Sequence, residues 1–260
     1  MLGIDIGTTN IKAALYTYSG EEIFVKSATY LLHTDKFGAA TQSANEIKEK
    51  TFQIIKESTE ECDQRNIKIS FISFSAAMHS LLAVDLNGEP ITPVLTWGDR
   101  QSEHYLKDVK NEIGTAIYHR TGTPIHSMSP LVKLYWLKKD YSDITQRTYK
   151  FIDVKSFILY QLFGEYYTDY SIANSTGLFN MHTLSWDNEA LEIAGVTEDK
   201  LPKLVPTTKV LRGMKGEIAS ELGLNQKTPI IIGASDGCLA NLGVNAIEHG
   251  KVALTIGTSG

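Results

Sequence analysis

The chain has 260 residues, of which 42% are hydrophobic and 21% are charged, and its formal net charge is −5. This composition is typical of a folded globular protein and argues against disorder. The negative charge argues against nucleic acid or an anionic membrane as the main partner, because both favour clustered lysine and arginine. No apolar run reaches the roughly 18–20 residues of a membrane helix and no signal peptide is evident, so we expect a cytoplasmic protein. Cys62 and Cys238 are interpreted as free thiols of a reducing compartment.

The first 90 residues predict strands around one helix. The strands are expected over residues 2–6, 11–18, 22–30, 67–74 and 81–85. The helix begins at the capping box Ser43-Ala44-Asn45-Glu46 and continues to about Cys62. Asn87-Gly88 is a hairpin turn signal.

The rest of the chain predicts mostly helices, with an irregular, helix-rich insertion between about residues 100 and 211. Ser129 and Asp153 are predicted helix caps, and Gly195 and Gly223 stand where helices are expected to end. The helices are expected over residues 102–113, 130–139, 154–164, 186–194 and 216–222. The final segment predicts a strand over 229–232, a helix over 234–242 and a strand over 251–256. The predicted fold class is therefore α/β.

Two glycine-containing loops near the ends of the chain have the chemistry of a phosphate site. In Asp5-Ile6-Gly7-Thr8-Thr9, a turn presents backbone amides beside threonine hydroxyls, and residues 254–260 repeat this arrangement. Asp5 either binds a metal ion or is a plain turn residue, and the threonines either donate to phosphates or simply favour a strand. Because the second loop stops in mid-turn, we expect the chain to be one lobe of a longer protein.

Other polar residues also have a functional and a structural interpretation. Lys12 either contacts a phosphate or lies exposed on its strand. Asp236 is either a helix N-cap or a base that accepts a hydroxyl proton. His79 is either a structural histidine or part of a site, and Trp97 is either a core residue or, with Asp99, part of a polar pocket. The other histidines lack metal-ligand spacing, and no P-loop motif is present.

An ordered set of short motifs resembles the N-terminal lobe of the FGGY carbohydrate kinases. The motifs are Asp5-x-Gly7-Thr8-Thr9, Met78-His79, Trp97-x-Asp99, Gly233-Ala-Ser-Asp236-Gly237 and Ile256-Gly257-Thr258-Ser-Gly. The stretch Met128-x-Pro130-x-x-Lys133-Leu134-x-Trp136-Leu137 also resembles a family signature, although Asp140 departs from it. The resemblance implies a ribonuclease-H-like fold of the actin and Hsp70 ATPase type, with residues 1–260 as one lobe and a C-terminal lobe that lies outside this chain.

The resemblance also implies the reaction and its residues. Asp236 would be the catalytic base, and Asp5 would hold Mg²⁺ through water. The phosphates of ATP would bind Gly7, Thr8, Thr9, Lys12, Gly257 and Thr258. The sugar pocket would contain Met78, His79, Trp97, Asp99, Asp236 and Gly237. Arg100 is a further candidate partner for a substrate carboxylate.

Several stretches, among them Arg120-Thr-Gly-Thr-Pro-Ile-His126, resemble gluconate kinases within this family. They imply D-gluconate as the substrate and 6-phosphogluconate as the product. Xylulose or another pentulose is the alternative, although xylulose kinases tend to differ at Ser80 and Gly237. An actin-like or Hsp70-like ATPase and a non-catalytic sugar sensor are alternatives from other classes. The expected partners are a sugar acid, ATP and the chain's own C-terminal lobe, and a homodimer stays open. We expect the isolated lobe to be inactive.

Overall fold

The computed structural model describes residues 1–254, apart from the side chains of residues 112–115. Within this range the strands are β1 Leu2–Ile6, β2 Asn10–Tyr16, β3 Glu22–Thr29, β4 His33–Thr34, β5 Ala40–Gln42, β6 Ile72–Ala76, β7 Leu82–Val84, β8 Val94–Leu95, β9 Lys150–Ile152, β10 Tyr167–Asp169, β11 Phe179–Asn180, β12 Ser185–Trp186, β13 Lys203–Val205, β14 Val210–Leu211 and β15 Ile230–Ser235. The helices are α1 Ala44–Gln64, α2 Leu106–Thr121, α3 Pro130–Asp140, α4 Ser142–Arg147, α5 Val154–Phe163, α6 Tyr170–Asn174, α7 Asn188–Ala194, α8 Gly216–Glu221 and α9 Asp236–Gly243.

A six-stranded mixed sheet organises the fold in the order β14-β15-β6-β1-β2-β3. β6 is parallel to both β1 and β15, so that Ser75 pairs with Asp5 on one side and with Ala234 on the other. The outer strands run antiparallel to their neighbours. Because parallel strands end at the same edge of a sheet, the loops after β1, β6 and β15 meet there.

One face of this sheet is apolar and covered, and the other is more open. Burial alternates along β1, where Ile4 and Ile6 are buried and Asp5 is less so. The apolar face packs in one core with residues of α1 and α5. Asp5, Lys12 and Ser75 instead line a groove of about 540 Å³ on the opposite face.

The segment between β6 and β14 forms a second hydrophobic core. It contains α2, α3 and α7, and Trp136, Phe151 and Trp186 are among its buried residues. This segment includes the helix-rich insertion predicted for residues 100–211. None of the helices described is long and apolar enough to cross a membrane.

Each predicted helix has a counterpart in the structure, while some helix and strand boundaries differ. Ser43 caps α1 as expected, and its side chain accepts from the Glu46 amide. The strand expected from residue 67 begins only at Ile72, because Asn66 is left-handed and the Ile67 amide bonds back to Cys62 at 2.8 Å. Those two residues therefore complete the end of the helix.

Two further boundaries depart from the sequence prediction. The helix expected over 102–113 starts as a 3₁₀ turn, Glu103–Tyr105, and then continues as α2 to Thr121. Of the strand expected over 251–256, residues 251–254 have no regular structure, and residues 255 and 256 lie outside the described range. A strand needs a hydrogen-bonded neighbour, and the part of the chain that is described supplies none beside this segment.

Gly233 interrupts β15 just before the end of the strand. Its φ is +69°, and the pairing with β6 shifts register between Ile231 and Ala234. A β-carbon at this position would lie 1.8 Å from the Phe74 carbonyl oxygen. Only glycine allows the two backbones to approach this closely, so the bulge depends on it.

We expect Gly233→Ala to unfold a large fraction of the protein or to abolish its expression, because the new methyl group would collide with the backbone of β6. Gly213→Ala is the matched control, since Gly213 also has a positive φ, +81°, but has open space around it. The control should cost only the left-handed strain of about 1–2 kcal/mol. Urea denaturation of both variants measures the difference, and equal losses of stability would contradict this account of the bulge.

Candidate active site

The residues predicted to act together lie at one edge of the sheet. The loop that starts at Gly7 follows β1, Met78 and His79 follow β6, and Asp236 follows β15. Trp97 reaches the same place, because its indole Nε1 donates to Thr8 Oγ1 at 2.8 Å. Gly257 and Thr258, the second predicted phosphate loop, lie outside the described residues.

The turn between β1 and β2 presents free amides. The Gly7 amide donates to the Asn10 carbonyl at 3.1 Å, which closes a tight turn. The amides of Thr8 and Thr9 donate to no acceptor in the described part of the chain. Two such amides beside hydroxyl groups form a concave donor site for an anion. Their role in phosphate binding stays a prediction.

Two residues that the sequence analysis did not single out hold this turn in place. Tyr30 donates its hydroxyl hydrogen to the Gly7 carbonyl, and Gln42 Nε2 donates to the Thr8 carbonyl at 2.6 Å. Both side chains are buried. They fix the carbonyl groups toward the protein, which leaves the opposite, amide side of the turn for a ligand. No local pattern in the sequence indicated either residue, since β5, the short strand that contains Gln42, was not among the predicted strands.

Two carboxylates, Asp5 and Asp236, lie near each other. Asp5 Oδ1 accepts from the Ser75 hydroxyl at 2.7 Å, and Asp236 Oδ1 accepts from the Gly237 amide at 2.7 Å. Burial raises the pKa of Asp236, and the negative charge of Asp5 raises it further. A raised pKa is what a group that accepts a proton from a hydroxyl needs.

The donors at this place fit Mg²⁺. The described residues include no cluster of three histidine, cysteine or acidic side chains that could hold a metal. Mg²⁺ commonly keeps several waters and needs only one or two carboxylates, and a cation would relieve the repulsion between Asp5 and Asp236. Lys12 pairs with Asp5 across the strands and is exposed on the same face.

The histidine after β6 is neutral and oriented. His79 has a φ of +65°, and its Nδ1 lies 2.7 Å from the Ser175 carbonyl oxygen. Since a carbonyl only accepts, Nδ1 carries the hydrogen and Nε2 is left as an acceptor for a hydroxyl group. Burial lowers the pKa of His79 to about 4, even though the bond to Ser175 opposes this.

Trp97 and Asp99 have different environments. The side chain of Trp97 is 41% exposed, so its interpretation as a core residue is wrong. Asp99 is fully buried, and its carboxylate accepts from the Ala40 amide at 2.9 Å and from the side chain of Gln101 at 2.9 Å. These bonds make Asp99 a support for the Trp97 loop. Its expected contact with a substrate stays a prediction.

Met78 and Gly237 pack against each other, whereas the side chain of Arg100 is paired with Glu103. A β-carbon on Gly237 would lie 3.1 Å from Met78 Cε, so these two residues pack closely within the site. Arg100 is exposed and forms a bidentate ion pair with Glu103 at 2.8 Å. Its predicted role in binding a carboxylate has no support from this geometry.

A fully buried lysine joins the loop that carries His79 to the loop that carries Trp97. Lys133 Nζ donates to the carbonyls of His79 at 2.8 Å, Thr96 at 2.6 Å and Leu95 at 3.5 Å. Burial lowers its pKa to about 7, and the charge of Asp99 opposes this shift. Lys133 therefore ties the loop after β6 to the loop after β8.

The volumes of the cavities do not by themselves identify the candidate active site. A groove of about 920 Å³, larger than the one beside Asp5, is lined by Tyr149, Glu165 and Lys203 among others. It contains none of the residues predicted to act. We assign the candidate site by its chemistry, at the edge where three strands end.

Comparison with known proteins identifies the class of this chain. Residues 1–243 match the model of the FGGY family of carbohydrate kinases, N-terminal domain, and the chain belongs to this family. It is 47% identical over its whole length to the gluconokinase of Bacillus subtilis strain 168 and covers 50% of that protein. It is 28% identical to a xylulose kinase of Lactococcus lactis, of which it covers 52%.

Solved structures agree with the fold. The gluconate kinase of Lactobacillus acidophilus superposes with a TM-score of 0.90 at 38% identity, over 95% of this chain and 50% of that one. A ligand-bound xylulose kinase from the same organism gives the same values. The predicted ribonuclease-H-like fold is confirmed. The chain spans about half the length of the relatives it matches.

We expect Lys133→Met to lower the free energy of unfolding by about 3 kcal/mol, because buried carbonyls would lose their donor at about 1–3 kcal/mol each. Lys56→Met, which replaces an exposed lysine of α1, is the control and should change little. Urea denaturation at pH 7 compares the two. A Lys133→Met protein as stable as the control would contradict the role given to this lysine.

The half-buried His79 should make stability depend on pH. Its folded-state pKa of about 4 is below the usual 6.5, so the unfolded chain binds a proton first as the pH falls. Stability should therefore be lost between pH 6.5 and pH 4, by up to about 3 kcal/mol. His79→Asn, which keeps a residue that tolerates a positive φ, should lose correspondingly less. Denaturation at pH 7 and pH 4 tests this, with the exposed His33→Asn as a control that should behave as the wild type.

Proposed function

We propose that this chain is the N-terminal lobe of an ATP-dependent kinase that phosphorylates D-gluconate to 6-phosphogluconate. The identity of 47% to a gluconokinase over the whole chain is the observation that carries this proposal. A second gluconokinase, from Bacillus licheniformis, is equally similar at 47%. The arrangement of Asp5, His79 and Asp236 at one edge of the sheet supports it independently.

Asp236 is the proposed general base. Its carboxylate takes the proton of the sugar hydroxyl, whose oxygen then attacks the terminal phosphorus of ATP. The raised pKa of Asp236 suits this transfer, and its carboxylate is oriented by the Gly237 amide. Neutral His79 accepts a hydrogen bond from another hydroxyl through Nε2. Met78 and Trp97 form apolar walls of the proposed pocket.

The phosphates of ATP are proposed to bind the amides and hydroxyls of Thr8 and Thr9, with Gly7 allowing the turn. Lys12, on the adjacent strand and paired with Asp5, is proposed to contact them as well. Asp5 would hold Mg²⁺ mainly through water, and the ion would neutralise charge on the phosphate oxygens. Gly257 and Thr258 are proposed to bind the phosphates from the other side.

A second lobe is part of this proposal. The gluconokinase relatives are about twice as long as this chain, and Val252 and Leu254 expose 85% and 82% of their surface. Apolar residues exposed to this extent suit a contact with further protein. Because phosphoryl transfer depends on positioning and on water exclusion, we expect residues 1–260 alone to show no meaningful turnover.

Xylulose or another pentulose is the second candidate substrate. The observation in its favour is that the ligand-bound xylulose kinase superposes on this chain as well as the gluconate kinase does, at 38% identity. The shape of the lobe therefore does not separate the two sugars. Substrate preference has to be measured.

A coupled ADP-release assay on the full-length protein tests the proposal, with Mg-ATP and with gluconate, xylulose, ribulose or glycerol. We expect release that depends on gluconate, and we expect Asp236→Asn to lower kcat by about 10²–10⁴-fold through the loss of the base. Asp187→Asn is the control, because Asp187 is an aspartate at a helix start, the N-cap of α7, in the segment of the second core.

The outcomes separate the alternatives. Preference for xylulose would replace the substrate and keep the kinase. Release of ADP without any sugar, or release unaffected by Asp236→Asn, would favour an ATPase of the actin or Hsp70 class and would leave Asp236 as a helix residue only.

A further inference from the structure

The peptide group between Ala234 and Ser235, one peptide before that of Asp236, is held from both sides by side chains. Lys155 Nζ donates to the Ala234 carbonyl at 3.3 Å, and the Ser235 amide donates to Ser171 Oγ at 2.8 Å. The carbonyl and the amide of a trans peptide point in opposite directions. The two contacts therefore fix the rotation of this peptide plane.

Both contacts belong to one buried network. Lys155 and Asp169 form an ion pair of 2.6 Å, and both side chains are fully buried. Ser171 donates its hydroxyl hydrogen and its amide to Asp169 Oδ1, the latter at 2.9 Å. With its hydrogen used in this way, the Ser171 oxygen is oriented to accept from Ser235. The network joins α5, α6 and the end of β15.

Pairing between strands does not by itself fix the plane of the Ala234–Ser235 peptide. The bulge at Gly233 shifts the register of β15 against β6, and the ladder with β14 covers only Ile230 and Ile231. The last residues of the strand therefore follow an irregularity and have lost one neighbouring strand. Side-chain contacts replace the missing ladder at the position that aims Asp236.

The ion pair does not serve chiefly as a source of stability. Two charges removed from water lose hydration, and a buried pair is frequently no more stabilising than apolar residues of similar size. A lysine and an aspartate do, however, impose directions that apolar side chains lack. The more informative consequence of the Lys155–Asp169 pair is that it helps to hold the Ala234–Ser235 peptide in one orientation.

We propose that Lys155, Asp169 and Ser171 are positioning residues for phosphoryl transfer, which hold the peptide plane before Asp236 and so aim its carboxylate at the sugar hydroxyl. The inference rests on the proposed function. In that reaction the hydroxyl proton passes to Asp236, a bond forms between the sugar oxygen and the terminal phosphorus, and the bond from that phosphorus to the ADP oxygen breaks. A displacement of about 1 Å can cost such a step about a hundredfold in rate.

Steady-state kinetics of the full-length protein with Mg-ATP and gluconate test the inference. Ser171→Ala removes the acceptor of the Ser235 amide, and we expect kcat to fall by about tenfold or more while KM for gluconate changes by less than about threefold. Ser171→Thr keeps the hydroxyl and should retain kcat within about threefold of the wild type. Ser58→Ala is the matched control, since Ser58 is a buried serine of α1 that donates to Ile54.

Lys155→Met is the second variant, because it removes the donor to Ala234 while keeping a long apolar side chain. It should lower kcat in the same manner as Ser171→Ala, with circular dichroism confirming that it is folded. If Ser171→Ala retains the wild-type kcat, or if Ser58→Ala loses as much, the positioning role is overturned. If the wild type itself transfers no phosphoryl group to any sugar, the proposed function fails, and this inference fails with it.

Discussion

The parallel pairing of β1 and β15 with β6 is the arrangement on which the candidate site depends. Three loops that are far apart in sequence follow strands that end at one edge of the sheet. The first supplies backbone amides, the second a neutral histidine and the third a carboxylate. None of these groups would be near the others without the shared strand between them, so the sheet determines the chemistry at its edge.

Two buried lysines, Lys133 and Lys155, stabilise this edge in similar ways. Each is fully buried; Lys133 donates to carbonyls of the loops that carry His79 and Trp97, and Lys155 donates to the Ala234 carbonyl at the irregular end of β15. Loops lack the regular hydrogen bonds of strands, and a buried carbonyl without a donor is costly. A long side chain with several donors at its end can satisfy carbonyls on separate elements at once. The lysines thus make irregular backbone rigid where a reaction would need rigidity.

The electrostatics of the site show why a cation suits it. Asp5 and Asp236 are close enough for one charge to raise the pKa of the other, and the buried Lys155 opposes that shift only weakly. The net effect is a pKa of Asp236 above its usual value, although the Gly237 amide opposes the shift. A bound cation would lower that pKa again, so the ionisation of the base would be coupled to the ligands beside it.

The sequence by itself determined the local features of this protein: the helices and their caps, the turn at Gly7 and the motifs around His79 and Asp236. These depend on neighbours within a few residues, which a sequence displays directly. Only the tertiary structure decided that Asp99 faces inward, that Gln42 and Tyr30 hold the turn at Gly7, and that Lys155 reaches the strand before Asp236. Each of those contacts joins residues from separate elements, 23 to 79 positions apart in the chain. Which long-range partner a polar side chain meets depends on how the elements pack, and no local pattern encodes that.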